Sequence, residues 1–287
     1  MIENQEELNR FFRRRAKDAF VAVLIALLTI LAVSLLFTIF GHILINGFSS
    51  LNFDFFFKKP QPYGESGGGI APAIIGTLLM LLAAGVVAIP VGILTAIYLA
   101  EYGRGSFAST VRFVLDLLAE LPSIVVGVFV WAVLVRSVTG YSGWAGAVAL
   151  AVIMIPVIAK GVEEILRLVP DSLREAALAL GTPKWKVVVK VVIPTVLPGI
   201  LTSVVLALAR AAGETAPLML TALGNSFFNF NFQKPMAAIP LQIYNYAISP
   251  YDDWHKKAWG ATLILIVVVA IFSAAVRYYT RRTKIEV

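Results

Sequence analysis

Apolar residues run along this chain in six stretches, each long enough to cross a bilayer and separated by polar or glycine-rich segments. A transmembrane helix needs about 20 mainly apolar residues to span the hydrocarbon core. The first run, 19–45, follows a basic segment, 1–18. It exceeds the roughly 7–15 residues of a signal-peptide core and ends without a small-residue cleavage pattern, which predicts an uncleaved span. The second covers 72–99, with Pro90 inside. The third covers 106–135 and is interrupted at Leu121-Pro122-Ser123, where Pro122 is expected to kink it. The fourth covers 144–166 and contains Pro156. The fifth, 195–223, contains Pro217 as a second expected kink, and the sixth covers 258–278. In the loop 224–255 the pattern predicts a short amphipathic helix near 236–248. The loop 46–69 clusters Phe53, Phe55, Phe56 and Phe57, which suit a membrane interface. Its Ser66-Gly67-Gly68-Gly69 reads as a connector, since no Gly-Lys-Ser/Thr follows to cradle phosphate.

Composition agrees with a polytopic all-α membrane protein: 59% of residues are hydrophobic and 14% charged, against about 25% charged in a soluble domain. The absence of cysteine excludes disulfides, thiol catalysis and cysteine-ligated metal. A net charge of +7 would suggest nucleic acid in a soluble chain. Here seventeen of the 24 Lys and Arg residues fall at the two termini, in the 101–112 turn and along 160–190. That bias predicts six spans with both termini and the 167–194 loop on the cytoplasmic side. The domain plan is a cytoplasmic segment 1–18, a transmembrane unit 19–279 and a tail 280–287 containing Lys284.

Two stretches carry candidate chemistry. Within the fifth span, steps of three and four residues place Ser203, Ala207, Arg210, Glu214, Pro217 and Thr221 on one helix face. An Arg at the centre of a membrane helix costs about 2.5–3.5 kcal/mol on the insertion scale, so such groups face a bundle interior or a water-filled path. The stripe is therefore expected to line a substrate route. Arg210 would offer paired donors to an oxyanion, Glu214 would neutralise it when the route is empty, and Ser203 and Thr221 would add neutral donors. A structural ion pair, or one gripping a partner subunit, is the alternative. Asp116 and Glu120 allow two readings, a gate or proton path and a water-exposed helix end. The second stretch is 170–194. Ser172 and Glu175 have capping-box spacing, Gly181 suits a left-handed helix end, and Thr182 with Pro183 predicts the cap and first residue of a second helix. A rigid helix–turn–helix knob follows, with small Ala176, Ala177 and Ala179 permitting close approach. No Walker-type Gly-Lys-Ser/Thr loop and no His-Glu-x-x-His is present, so no nucleotide hydrolysis or metalloprotease chemistry is expected of this chain.

The spacing Glu175-Ala176-Ala177, three residues, Gly181, nine residues, Val191-Val192-Ile193-Pro194 resembles the EAA loop of type I ABC-importer permeases. Val191 and Ile193 are conservative departures from that family's pattern. Tyr141 to Gly146, Leu121 to Gly127, Leu173 to Trp185 and Arg210 to Pro217 further resemble phosphate-specific permeases of the PstA type, over about residues 70–280. Glu120 departs from them, since a small or apolar residue usually stands there. The resemblance implies a six-helix permease fold. It also implies a second permease (PstC type), two ATPase subunits (PstB type) that bind ATP and Mg, and an extracytoplasmic phosphate-binding protein (PstS type). Glu175, Ala176, Ala177, Gly181 and Pro183 would then couple the membrane helices to the ATPase. Another oxyanion (sulfate, molybdate or phosphonate) remains an alternative cargo. An ion-coupled secondary carrier is a rival of a different class.

Overall fold

The computed structural model describes residues 2–62, 65 and 67–282. Ser66 of the connector and Lys284 of the tail lie outside the described residues, as do the side chains of Arg277, Arg281 and Arg282. Among the described residues all regular secondary structure is helical, apart from one isolated β-bridge between Leu223 and Met236. Five helices are long and apolar enough to cross a membrane, and a sixth crossing comes from a bent helix pair.

Helix α1 (Ile2–Phe48) stands largely apart. It meets the bundle near its C-terminal end, where Gly47 packs on Leu263 and His42 lies edge-on to Trp259 at 4.9 Å. The short α2 (Phe53–Phe57) is capped by Asn52, whose side chain accepts from the Phe55 amide. The aromatic cluster divides here: Phe55 is buried in a core with Ile70, Ile239 and Tyr246, while Phe53 and Phe57 are exposed. The expected interface belt therefore holds only in part, because the short helix turns one ring inward.

The centre of the molecule is α3 (Ala71–Ile97) packed along α6 (Gly143–Arg167). Their shared core holds Met80, Ala84, Ala88, Leu150, Met154 and Ile158. Small residues let helix backbones approach closely where lipid gives no hydrophobic drive between them. A π-helical turn, Tyr98–Tyr102, continues α3 at its basic end.

The third predicted span is two helices, α4 (Gly105–Glu120) and α5 (Ser123–Val130), with axes 102° apart. Pro122 sits between them with ψ 132, outside the helical region, so it ends one helix and starts another. At the basic end of α6, α4 pairs Arg112 with Glu163 and Asp116 with Lys160. Towards the other end, α5 packs Val126 and Val130 with Ala145, Ala149 and Ile153. The bent pair thus follows α6 from one end to the other as one interrupted span.

The hairpin comprises α7 (Asp171–Ala179) and α8 (Lys184–Val187). From α8 the helix runs unbroken through a π-helical turn into α9 (Ile193–Ala212). The fifth span therefore covers Lys184–Ala212 and not 195–223. A break at 213–215 separates it from α10 (Ala216–Thr221). The amphipathic helix expected near 236–248 is α11 (Ile239–Ala247), and α12 (Asp252–Arg282) closes the bundle. Burial pushes the Tyr246 hydroxyl up to about 12, so this core group of α11 stays neutral at physiological pH.

Candidate functional site

Arg210 lies in the last turn of α9. Its depth follows from packing register. A Cβ on Gly199 would touch Ile165, and one on Gly161 would lie 2.8 Å from the Ser203 hydroxyl, so α9 runs antiparallel to α6. Extending that register sets Arg210 level with Met154, eleven residues from one end of α6 and thirteen from the other. At 1.5 Å per residue, Arg210 is about 16–20 Å from either end, midway through the bundle. Its side chain is exposed in the isolated chain and makes no hydrogen bond or ion pair among the described residues.

The expected stripe is not one helix face. The helix ends at Ala212, and Glu214 lies half-buried in the break, with no ion pair to Arg210. Gly213 closes α9 through its amide to the Arg210 carbonyl at 3.1 Å. Pro217 does not kink a continuous rod but sits at the second position of the new helix α10, where its missing N–H leaves no ladder bond unmade. Ser203 and Thr221 turn inward. The Ser203 hydroxyl is buried against Gly161 and donates to Gly199 at 3.3 Å. Thr221 is fully buried, donates to the Pro217 carbonyl at 2.7 Å, and its own carbonyl accepts from Ser142. Both are packing groups within this chain.

The two discontinuities meet. Helix α10 packs on α5, and a Cβ on Gly127 would lie 2.7 Å from the Pro217 Cα. Irregular backbone at membrane depth is tolerated only where protein buries it or where it borders a water-filled cavity. Here one side is buried against α5 and α6, and the other carries exposed Arg210 and Gly213. The arrangement can hold an anion at mid-depth and can rearrange at two pre-broken helices.

At the basic end, α7 has no buried residue. The capping box is not made: Pro170 is the N-cap, without a side-chain bond, and Ser172 is already the second helical residue. Acidic Asp171 in the first turn complements the helix dipole instead. Gly181 takes the expected left-handed conformation (φ +76), and its amide bonds the Leu178 carbonyl. Pro183, not Thr182, caps α8, with ψ 145 keeping it out of the helix. Glu175, Ala176, Gly181 and Pro183 face outward, beside Leu180 (85% exposed) and Trp185, whereas Ala177 turns towards the core. Asp116 and Glu120 are both exposed, and Asp116 pairs with Lys160 at 2.6 Å.

Sequence reading missed the charged groups that seat this end. Glu101 is buried beneath Arg174, which bonds its Oε1 at 2.8 and 3.1 Å. Arg174 also donates to the carbonyls of Leu166 (2.9 Å) and Val169 (2.5 Å), and to Asp171. Lys184 bonds the Glu101 carbonyl and lies over the Tyr102 ring. Glu163 accepts from Arg112 and Arg167, and Arg112 reaches the Leu99 carbonyl. These cations reach carbonyls at and just beyond the C-terminal ends of α3 and α6, and the Leu166 carbonyl also accepts from the Val169 amide. Glu101 at the close of an apolar run was the available signal; its partner, 73 residues away, left none.

A polytopic bundle with a broken core pair and an outward-facing hairpin at its basic end is the architecture of a membrane permease subunit of the ABC-importer class. Solved structures share the fold. A chain of a bacterial alginate ABC transporter aligns with TM-score 0.69 at 15% identity, covering 93% of this chain and 96% of that one. One from the MetNI methionine ABC transporter aligns at 0.58 and 22% identity, covering 75% and 94%. The chain belongs to the family of binding-protein-dependent transport system inner membrane components, whose pattern matches residues 88–285. Among its relatives, the phosphate transport system permease protein PstA of Pasteurella multocida is 42% identical, covering 96% of this chain and 98% of its own length. The protein of the same name from Yersinia pestis is 40% identical over 94% and 92%.

Proposed function

We propose that this chain is one of two permease subunits of an ATP-driven importer of inorganic phosphate, multi-pass in the cytoplasmic membrane of a prokaryote with both termini inside. The observation that carries the reading is Arg210: a permanent cation at mid-depth, exposed and unpaired, beside a break in the helix that bears it. A guanidinium presents paired donors to phosphate oxygens and stays protonated. The exposed face bearing Arg210 fits a second permease of the PstC type, which would supply the opposite wall of the route. Glu214, free of Arg210 in this conformation, would compete with phosphate for it when the broken helices rearrange. The hairpin would dock on PstB-type ATPase subunits through Glu175, Ala176 and the Gly181 turn. Those subunits would bind ATP and Mg, and a PstS-type protein would deliver phosphate to the opposite end.

The test is ATP-driven uptake in proteoliposomes holding this chain with those partners, comparing labelled phosphate with sulfate and molybdate. Phosphate uptake that requires the ATPase is expected. Arg210→Ala should lower it at least a hundredfold, and Arg210→Lys about tenfold, since a point charge replaces a planar fork. Preference for sulfate or molybdate would overturn the cargo, and uptake without ATP would overturn the importer reading.

A further inference from the structure

Helix α7 presents a mechanical problem. It has nine residues, none of them buried, and isolated helices shorter than about 12–15 residues are marginal in water. Of its side chains only Arg174 and Ala177 are even partly covered. An element that receives force from a partner must nevertheless be held rigidly against whatever it is to move. What holds α7 is therefore mainly polar, and it converges on one side chain.

We infer that Arg174 is a positioning residue that clasps α7 to the basic ends of α3 and α6 through the Glu101 carboxylate and the Leu166 and Val169 carbonyls, so that hairpin movement is passed to both helices together. The inference rests on the proposed role of the hairpin in coupling and adds the route by which motion leaves it. Glu101 is 4% exposed and Arg174 17%, so solvent does not screen this pair as it does a surface ion pair. The guanidinium fork is used at several points: Nε and Nη2 bind Glu101, Nη2 also reaches Leu166, and Nη1 reaches Val169 and Asp171. A lysine has one nitrogen at the end of a flexible stem and cannot span those acceptors. Lys184, at the start of α8, binds the Glu101 carbonyl, so both arms of the hairpin grip the same terminal turn of α3. A cavity of about 490 Å³ lies beside the clasp, lined among others by Glu101, Arg104, Arg174, Leu178 and Val187. Because α3 and α6 are the most extensively packed pair in the bundle, a clasp on both ends drives the core as one body.

The test uses the assembled transporter, reading phosphate taken up per ATP hydrolysed. It also reads the distance distribution between spin labels on cysteines introduced by Leu180→Cys and Leu94→Cys, in a chain that contains no native cysteine. Arg174→Ala is expected to lower uptake per ATP at least tenfold while ATP hydrolysis stays within about twofold, and to broaden the label distribution. Arg174→Lys should resemble Arg174→Ala. Glu101→Gln keeps the backbone carbonyls in place and removes only the charge; it should lower the ratio about threefold and broaden the distribution partway. If Arg174→Ala prevents assembly, Glu101→Gln decides. Wild-type behaviour of Glu101→Gln in both readouts overturns the inference, as does lost uptake with an unchanged distribution. Absence of ATP-driven phosphate uptake in the wild-type complex would sink the functional reading instead, and the label distances would still test the clasp.

Discussion

At the scale of single residues, contact distances in the bundle separate glycines that are required from glycines that are incidental. Gly127 is required: an added Cβ would lie 2.7 Å from the Pro217 Cα, a backbone atom that cannot swing aside. Gly127→Ala should push α5 from α10 and cost about 1–3 kcal/mol, the usual range for overpacking, seen as a lower unfolding temperature in detergent. Gly41 in α1 has nothing within 4 Å of its added Cβ. Gly41→Ala should leave stability unchanged or raise it by up to about 1 kcal/mol through helix propensity. Equal responses from the two variants would show that the close approach of the two breaks is absent in the protein. Arg210 follows a different logic, since its value lies in being unpaired: a cation already satisfied by Glu214 would have less to offer an incoming anion.

At the scale of elements, the hairpin depends on one turn. Gly181 has φ +76 with open space around it, so a side chain there meets no neighbour and the cost is purely conformational. A β-branched residue in the left-handed region is a severe outlier. Gly181→Val is therefore expected to shift the approach of α8 to α7 and to lower phosphate uptake per ATP severalfold, with membrane insertion intact. Full coupled uptake would remove the turn from the coupling device. Gly181 was legible in the sequence because a helix end that needs a left-handed residue selects glycine. The spans were legible because hydropathy has the right length, and the break at Leu121-Pro122-Ser123 because proline interrupts a helix. The break at 213–215 was not, since Ala211, Ala212, Ala216 and Leu218 keep the stretch apolar across it. Helical spacing then placed Glu214 beside Arg210 on a rod that ends between them. The capping box failed for a related reason: the spacing was present, but Pro170 is the N-cap and the helix starts two residues earlier than a Ser172 cap would place it. The Glu101–Arg174 clasp was illegible because residues 73 apart meet only through the tertiary fold.

At the scale of the whole molecule, the proposed function makes this chain one wall of a route. Arg210 is exposed at mid-depth, whereas Ser203 and Thr221, which a continuous helix would have placed beside it, are sealed inside. Water should therefore reach one of the three positions and not the other two. The absence of native cysteine makes that difference measurable with single-cysteine variants of the assembled transporter. Arg210→Cys should react with a membrane-impermeant charged thiol reagent, at a rate that differs severalfold between nucleotide-free and ATP-trapped complexes. Ser203→Cys and Thr221→Cys should stay unreactive in both states. If Arg210→Cys is inert in every state, the partner permease covers that face permanently and Arg210 grips a subunit. If all three react, the fifth span is continuous and water-lined in the working transporter, and the break at 213–215 closes on assembly. State-dependent labelling confined to Arg210→Cys is the pattern that a broken helix beside an alternating route requires, because only the exposed side of the break changes its access to water when the two walls part.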